Sequence, residues 1–213
     1  MEIRCFLAFE LPPTIREILS GVSRELRISS LNARWVHENN IHLTVVFLGD
    51  VADEHIPSMG AGIEKVCLKT SPFHISLTGI GFFPTRRQPR VLWLGLNGDM
   101  ERMSLFRDDL QRVVTPFGVR EEKRPFKPHL TLGRFRRFDQ GSGYLLDRFL
   151  TRYGDLTSPP GALRELVLFR SDLKPAGAVY TPLFSWPLAG DPQGTDDERE
   201  PRVTSHESGA GGR

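Results

Sequence analysis

Cysteine is nearly missing from this 213-residue chain: Cys5 and Cys67 are the only two, and no CxxC spacing occurs. A disulfide framework and a zinc knuckle are therefore excluded, and both thiols are read as packing residues. Long apolar runs are missing too. Nothing approaches the length of a bilayer span, and residues 1–9 pass into a strand-like pattern without a signal peptide's apolar stretch. The expectation is a cytoplasmic protein with no membrane partner. Low-complexity tracts are also lacking: 20 Gly and 16 Pro are spread over many turns, which suits a loop-rich α+β fold better than a helical bundle. Charge of one sign does not dominate overall, but the net +2 is unevenly placed. Residues 190–213 hold six acids against three arginines, leaving +5 on residues 1–189. That acidic segment has no hydrophobic period, so one domain over 1–189 followed by a disordered acidic C-terminal tail is expected.

What is present begins with period and punctuation. Strands are expected at 3–9, 42–48, 73–83, 90–96, 129–135, 165–170 and 179–188, with a short extended piece at 34–36. Helices are expected at 12–28, 53–69, 100–114 and 143–153, with proline opening the first and Asp53 capping the second. Each of two strands is followed by a helix and further strands, so the order reads as two related β-α-β lobes.

Those two strands open with the same tetrad, His42-Leu43-Thr44-Val45 and His129-Leu130-Thr131-Leu132, 87 residues apart. Alternate side chains of a strand share a face, so each tetrad offers an imidazole and a hydroxyl on one side and anchors two aliphatic residues on the other. From average residue usage one such tetrad arises by accident in roughly 0.02 of chains this long, and two in about two chains per ten thousand. The doubling carries the information.

If the lobes face each other, four polar groups meet in one groove. An imidazole titrates near pH 6.5, so one histidine supplies a proton and the other accepts one without a metal. In-line displacement at phosphorus needs that pair, with threonine hydroxyls donating to the non-bridging oxygens where charge accumulates. A strained five-membered cyclic phosphate suits such a centre, and no cofactor is needed.

The flanks narrow this further. Arg4-Cys5-Phe6-Leu7-Ala8-Phe9, the block from Trp35 through His42 to Gly49, Gly79-Ile80-Gly81-Phe82-Phe83-Pro84, Arg90-Val91-Leu92-Trp93, Phe126-Lys127-Pro128 before His129, and Ser171-Asp172-Leu173 resemble the 2H phosphoesterase superfamily. Within it they resemble the RNA 2′,3′-cyclic phosphodiesterase family, also called 2′-5′ RNA ligase. The resemblance covers residues 3–188. It implies a bilobal α+β fold with two pseudo-symmetric lobes, whose antiparallel sheets line a central cleft. It also implies hydrolysis of RNA 2′,3′-cyclic phosphate ends to 2′-phosphomonoesters, with reversible 2′-5′ ligation as a side activity. Carried onto this chain, His42 is the proton donor, His129 the proton acceptor, and Thr44 and Thr131 bind the phosphate.

Arg134 is the candidate for a further phosphate contact, in a stretch where residues 120–137 hold seven basic side chains against Glu121 and Glu122. It lies five residues after His129, an odd spacing, so a regular strand points it away and only a bulge or a twisted end redirects it. Arg86, Arg87 and Arg90 follow Phe82-Phe83-Pro84 and offer cations beside an aromatic face. Trp35, Trp93 and Trp186 are read as core, and His37, His55, His74 and His206 as unrelated to chemistry. A monomer is expected, acting on RNA ends. The alternatives are a hydrolase of small cyclic nucleotides or ADP-ribose cyclic phosphate, a non-catalytic RNA- or nucleotide-binding module, and a metallohydrolase using the two histidines as ligands.

Overall fold

Alternation decides the first strand. β1 (Glu2–Phe9) sends Cys5, Leu7 and Phe9 into the main core and Phe6 and Ala8 to its other face, and all five are buried. A computed structural model describes residues 1–135, 143–175 and 177–191 of the chain. After β1 come α1 (Pro13–Ile28), β2 (Ala33–Trp35), β3 (Leu43–Ala52), α2 (Ile56–Leu68), β4 (Phe73–Pro84), β5 (Pro89–Gly98) and α3 (Met100–Val114). Then follow β6 (His129–Phe135), α4 (Gly143–Tyr153), β7 (Gly161–Leu163), β8 (Glu165–Lys174) and β9 (Gly177–Pro187).

These strands make two sheets, in the orders β3-β1-β8-β9 and β2-β6-β5-β4-β7, with every pairing antiparallel. The bilobal α+β architecture with antiparallel sheets is therefore present. The last hairpin, β8–β9, completes the first sheet by pairing with β1, so the lobes are not continuous halves of the chain. α1 begins with proline, whose missing N–H costs nothing in a first turn, and buries Ile15, Leu19, Val22 and Leu26 along one stripe. Phe9 of the first sheet, Phe73 of the second and Phe106 of α3 pack with ring centroids 5.3 to 6.0 Å apart, which joins the two sheets through one core. Burial pushes the Cys5 and Cys67 thiols up to about 11 and about 12, consistent with packing residues.

Three expected boundaries move. His42 does not open its strand: β3 starts at Leu43, after a 3-10 turn at Glu38–Asn40. The strand also continues past Gly49-Asp50, because Gly49 at φ +74° forms a bulge opposite Cys5 rather than a turn. Asp53 caps nothing; it opens a 3-10 turn, and α2 starts at Ile56 with Pro57 in its first turn. Strand β7 has no counterpart among the expected strands. At the other end, the backbone N–H groups of Ala189 and Gly190 donate to Cys67 and Thr70 carbonyls. The rest of the expected acidic tail lies outside the described residues, apart from Asp191, as do Arg136, Arg137 and His206. No described helix is long and apolar enough to cross a membrane.

Candidate active site

The face of the first sheet opposite the main core carries a separate apolar patch of Phe6, Ala8, Val167 and Phe169, with Tyr180 of β9 against it. His42 lies on this patch. Its ring stacks on Phe6 at 4.7 Å and 22°, and Tyr180 meets it edge-on at 5.2 Å. The backbone of Asn40, two residues earlier, favours the charged form of the imidazole, while Asn40 Nδ2 donates to the Ala178 carbonyl at 2.7 Å. The turn carrying His42 is thereby tied to β9. Burial in this aromatic setting pushes the His42 pKa down from 6.5 to about 4, against the smaller upward pull of the Asn40 backbone.

His129 repeats the arrangement at the start of β6. Its Nδ1 is 2.7 Å from the carbonyl of Lys127, again two residues earlier. A carbonyl only accepts, so Nδ1 carries the proton and Nε2 keeps its lone pair. The ring stands in an aromatic corner, edge-on to Phe83 at 5.0 Å and beside Trp93 at 6.3 Å. Burial, with the Arg134 guanidinium adding to it, lowers the His129 pKa from its ordinary value. Thr44 stands opposite Ala8, so it shares the face of Phe6 and His42; Thr131 stands opposite Trp93 and shares the face of His129.

The odd spacing of Arg134 is resolved by a bulge. Thr131 pairs with Trp93, but Gly133 pairs with Leu92, so β6 spends one extra residue at Leu132 and its side-chain parity flips. Arg134, opposite Val91, therefore joins Thr131 and His129 on one face. It also bears on the other sheet, since Arg134 and Arg4 both act electrostatically on the Tyr180 hydroxyl, whose pKa burial nonetheless raises. Arg134 acts electrostatically on both His129 and Tyr180, and Tyr180 packs on His42, so the two histidines are related through these side chains, and β3 also approaches β6.

Other candidates separate from this site. Arg86 pairs with Asp147 of α4, and His37 accepts from Asn39 N–H in a 3-10 turn. His74 is exposed beside Asp99, and His55 packs against Phe117. Among the described residues no three His, Cys, Asp or Glu side chains cluster closely enough to hold a metal ion. Of these aromatic partners, Phe6, Phe169 and Tyr180 are not among the site residues the sequence points to, Trp93 reads there as core, and Phe83 enters there as part of an aromatic face beside Arg86, Arg87 and Arg90 but packs on His129 instead. A signal is nonetheless present in the alternation of β1, where Phe6 and Ala8 fall out of phase with Cys5, Leu7 and Phe9.

Gly81 leaves room for this corner: a Cβ there would come 2.2 Å from the Trp93 ring. Gly81→Ala is expected to push Trp93 against Phe83 and His129, costing about 2 kcal/mol in denaturant unfolding and lowering activity in the same protein.

Comparison with known proteins agrees with this geometry. The family model described as LigT-like phosphoesterase matches twice, over residues 9–93 and 94–180, one tetrad in each match. A protein of Methanothermobacter thermautotrophicus named RNA 2′,3′-cyclic phosphodiesterase is 32% identical over 184 residues, covering 85% of this chain and 96% of its own. The structure of TT0787 of Thermus thermophilus superposes with a TM-score of 0.74 at 26% identity, covering 89% of this chain and all of that one. That of Escherichia coli LigT complexed with 3′-AMP gives 0.68 at 26% identity, covering 88% of this chain and 99% of that one. With both halves matched, one tetrad in each, the chain belongs to the LigT-like phosphoesterase family.

Proposed function

We propose that this protein hydrolyses RNA 2′,3′-cyclic phosphate ends to 2′-phosphomonoesters, with His42 and His129 as acid and base. Water attacks phosphorus and loses a proton to His129 Nε2, while the bond to the 3′-oxygen breaks and that oxygen takes a proton from His42. Thr44, Thr131 and Arg134 hold the non-bridging oxygens as charge gathers on them. The observation that carries this reading is the doubled setting of the imidazoles, each buried among aromatic rings with its threonine on the same face, and Arg134 acting on both His129 and the Tyr180 that packs on His42. The names of the relatives support the substrate class.

Burial first of all lowers both histidines, which favours their neutral forms. A bound phosphate anion restores the charged form, because an opposite charge at contact distance favours the imidazolium. The acid is thus armed by the substrate. The reverse reaction, forming a 2′-5′ linkage, passes through the same groups. One copy of the chain supplies the whole centre, and no cofactor enters the scheme.

The test is incubation of an RNA oligomer ending in a 2′,3′-cyclic phosphate, in EDTA, with the product identified. A 2′-phosphate is the expected product. A 3′-phosphate would show that the wrong P–O bond is assigned to break, and binding without turnover would make this a nucleotide-binding module. Activity lost to EDTA and restored by zinc would replace the two-histidine scheme with a metal one.

A further inference from the structure

Among the described residues seven arginines, Arg86 among them, meet a carboxylate. Arg34 does not. It stands on β2 directly opposite Arg134 of β6, so the two guanidinium-bearing chains share the cleft-side face. Like charges set opposite each other on neighbouring strands destabilise a sheet. Both are exposed, and neither has an acidic partner among the described residues. The Arg34 guanidinium also reaches over to the first sheet, ending 3.8 Å from the position a Cβ would take on Gly177 in the β8–β9 hairpin. One mouth of the cleft is therefore spanned by an uncompensated cation, next to the one proposed to hold the reacting phosphate.

The other arginine near the centre, Arg4, is placed differently. It stands opposite Asp50 and lines an open depression in which Glu2, Asp50 and Asp172 are matched by Arg4 itself, Arg170 and Lys174, with Arg170 paired to Asp172. Those charges offset one another, whereas Arg34 and Arg134 meet no acid among the described residues, so a nucleic-acid chain leaving the centre is drawn toward Arg34.

We propose that Arg34 binds the 5′-phosphate of the terminal nucleotide, the internucleotide phosphate in an RNA chain, and so makes the centre select chain ends over nucleosides. This rests on the cyclic phosphodiesterase reading above and adds its substrate class. Selection by a single phosphate contact is electrostatic and independent of base identity.

The experiment compares a nucleoside 2′,3′-cyclic phosphate with the same compound bearing a 5′-phosphate, in the wild type, Arg34→Gln and Arg34→Lys. In the wild type the 5′-phosphate is expected to raise kcat/KM about tenfold, and Arg34→Gln to abolish that gain with the unphosphorylated nucleoside turned over as before. Arg34→Lys is expected to restore part of it. On an oligomer, Arg34→Gln is expected to reduce the slope of log kcat/KM against log salt by about 1. Equal losses on both compounds, or a 5′-phosphate gain that survives in Arg34→Gln, would overturn the assignment. So would a wild type indifferent to the 5′-phosphate, which leaves the hydrolase reading standing. A wild type that turns over neither compound sinks the reading beneath it instead.

Discussion

Replacing either His42 or His129 with alanine lowers turnover of an RNA 2′,3′-cyclic phosphate by at least about 10²-fold, the scale on which a general acid or base contributes. Proton transfer happens in the transition state and not on binding, so kcat and kcat/KM fall together. Thr44→Ala and Thr131→Ala are expected to cost less, since each removes one donor to the phosphate and leaves the proton-transfer pair in place. The two histidines work as a unit. Once one is gone, removing the other adds little, and the double variant is expected to lie close to the worse single one. Steady-state kinetics on the four single variants and the double variant check this. Full activity in either histidine variant, or losses that multiply in the double, would remove the acid/base pair from the mechanism.

The tetrads were legible because a strand's period of two is strict and their apolar residues had to face a core. Leu43, Leu130 and Leu132 are fully buried, as that phase requires. What the period could not show is where it breaks. Bulges at Val45-Val46 in β3 and Leu132-Gly133 in β6 each flip the parity behind a tetrad, and Arg134 reaches the cleft only because of the second. A bulge is a relation between two strands, so one strand's pattern does not contain it. The aromatic settings of the histidines were hidden for a related reason. β1 is apolar on both faces, and a run of this kind reads as a strand sunk in one core. In fact its second face belongs to a separate patch, covered by His42 and Tyr180. The return of β8–β9 to β1 joins residues some 160 positions apart, and nothing local in Glu165–Lys174 specifies that partner.

The setting that tunes His42 also makes the fold sensitive to acid. The native protein holds this imidazole at about 4, and the unfolded chain releases it to its ordinary 6.5. Between those values the unfolded state binds the extra proton, so stability rises with pH across the window and is lost as pH falls through it. The full span amounts to about 3 kcal/mol, of which about 2 kcal/mol is gone by pH 5. His129 is shifted the same way and adds to the loss. Denaturant midpoints at pH 7, 5 and 4 measure it, and His42→Gln isolates it, because the carboxylates that also titrate there are common to both proteins. The wild type is expected to lose about 3 kcal/mol more than His42→Gln between pH 7 and pH 4, and equal acid sensitivity would show that burial does not hold this ring neutral. Added inorganic phosphate is expected to narrow the gap by pairing with the imidazolium in the folded state. The same anion that stabilises the acidified fold is the part of the substrate that readies His42 to give its proton away.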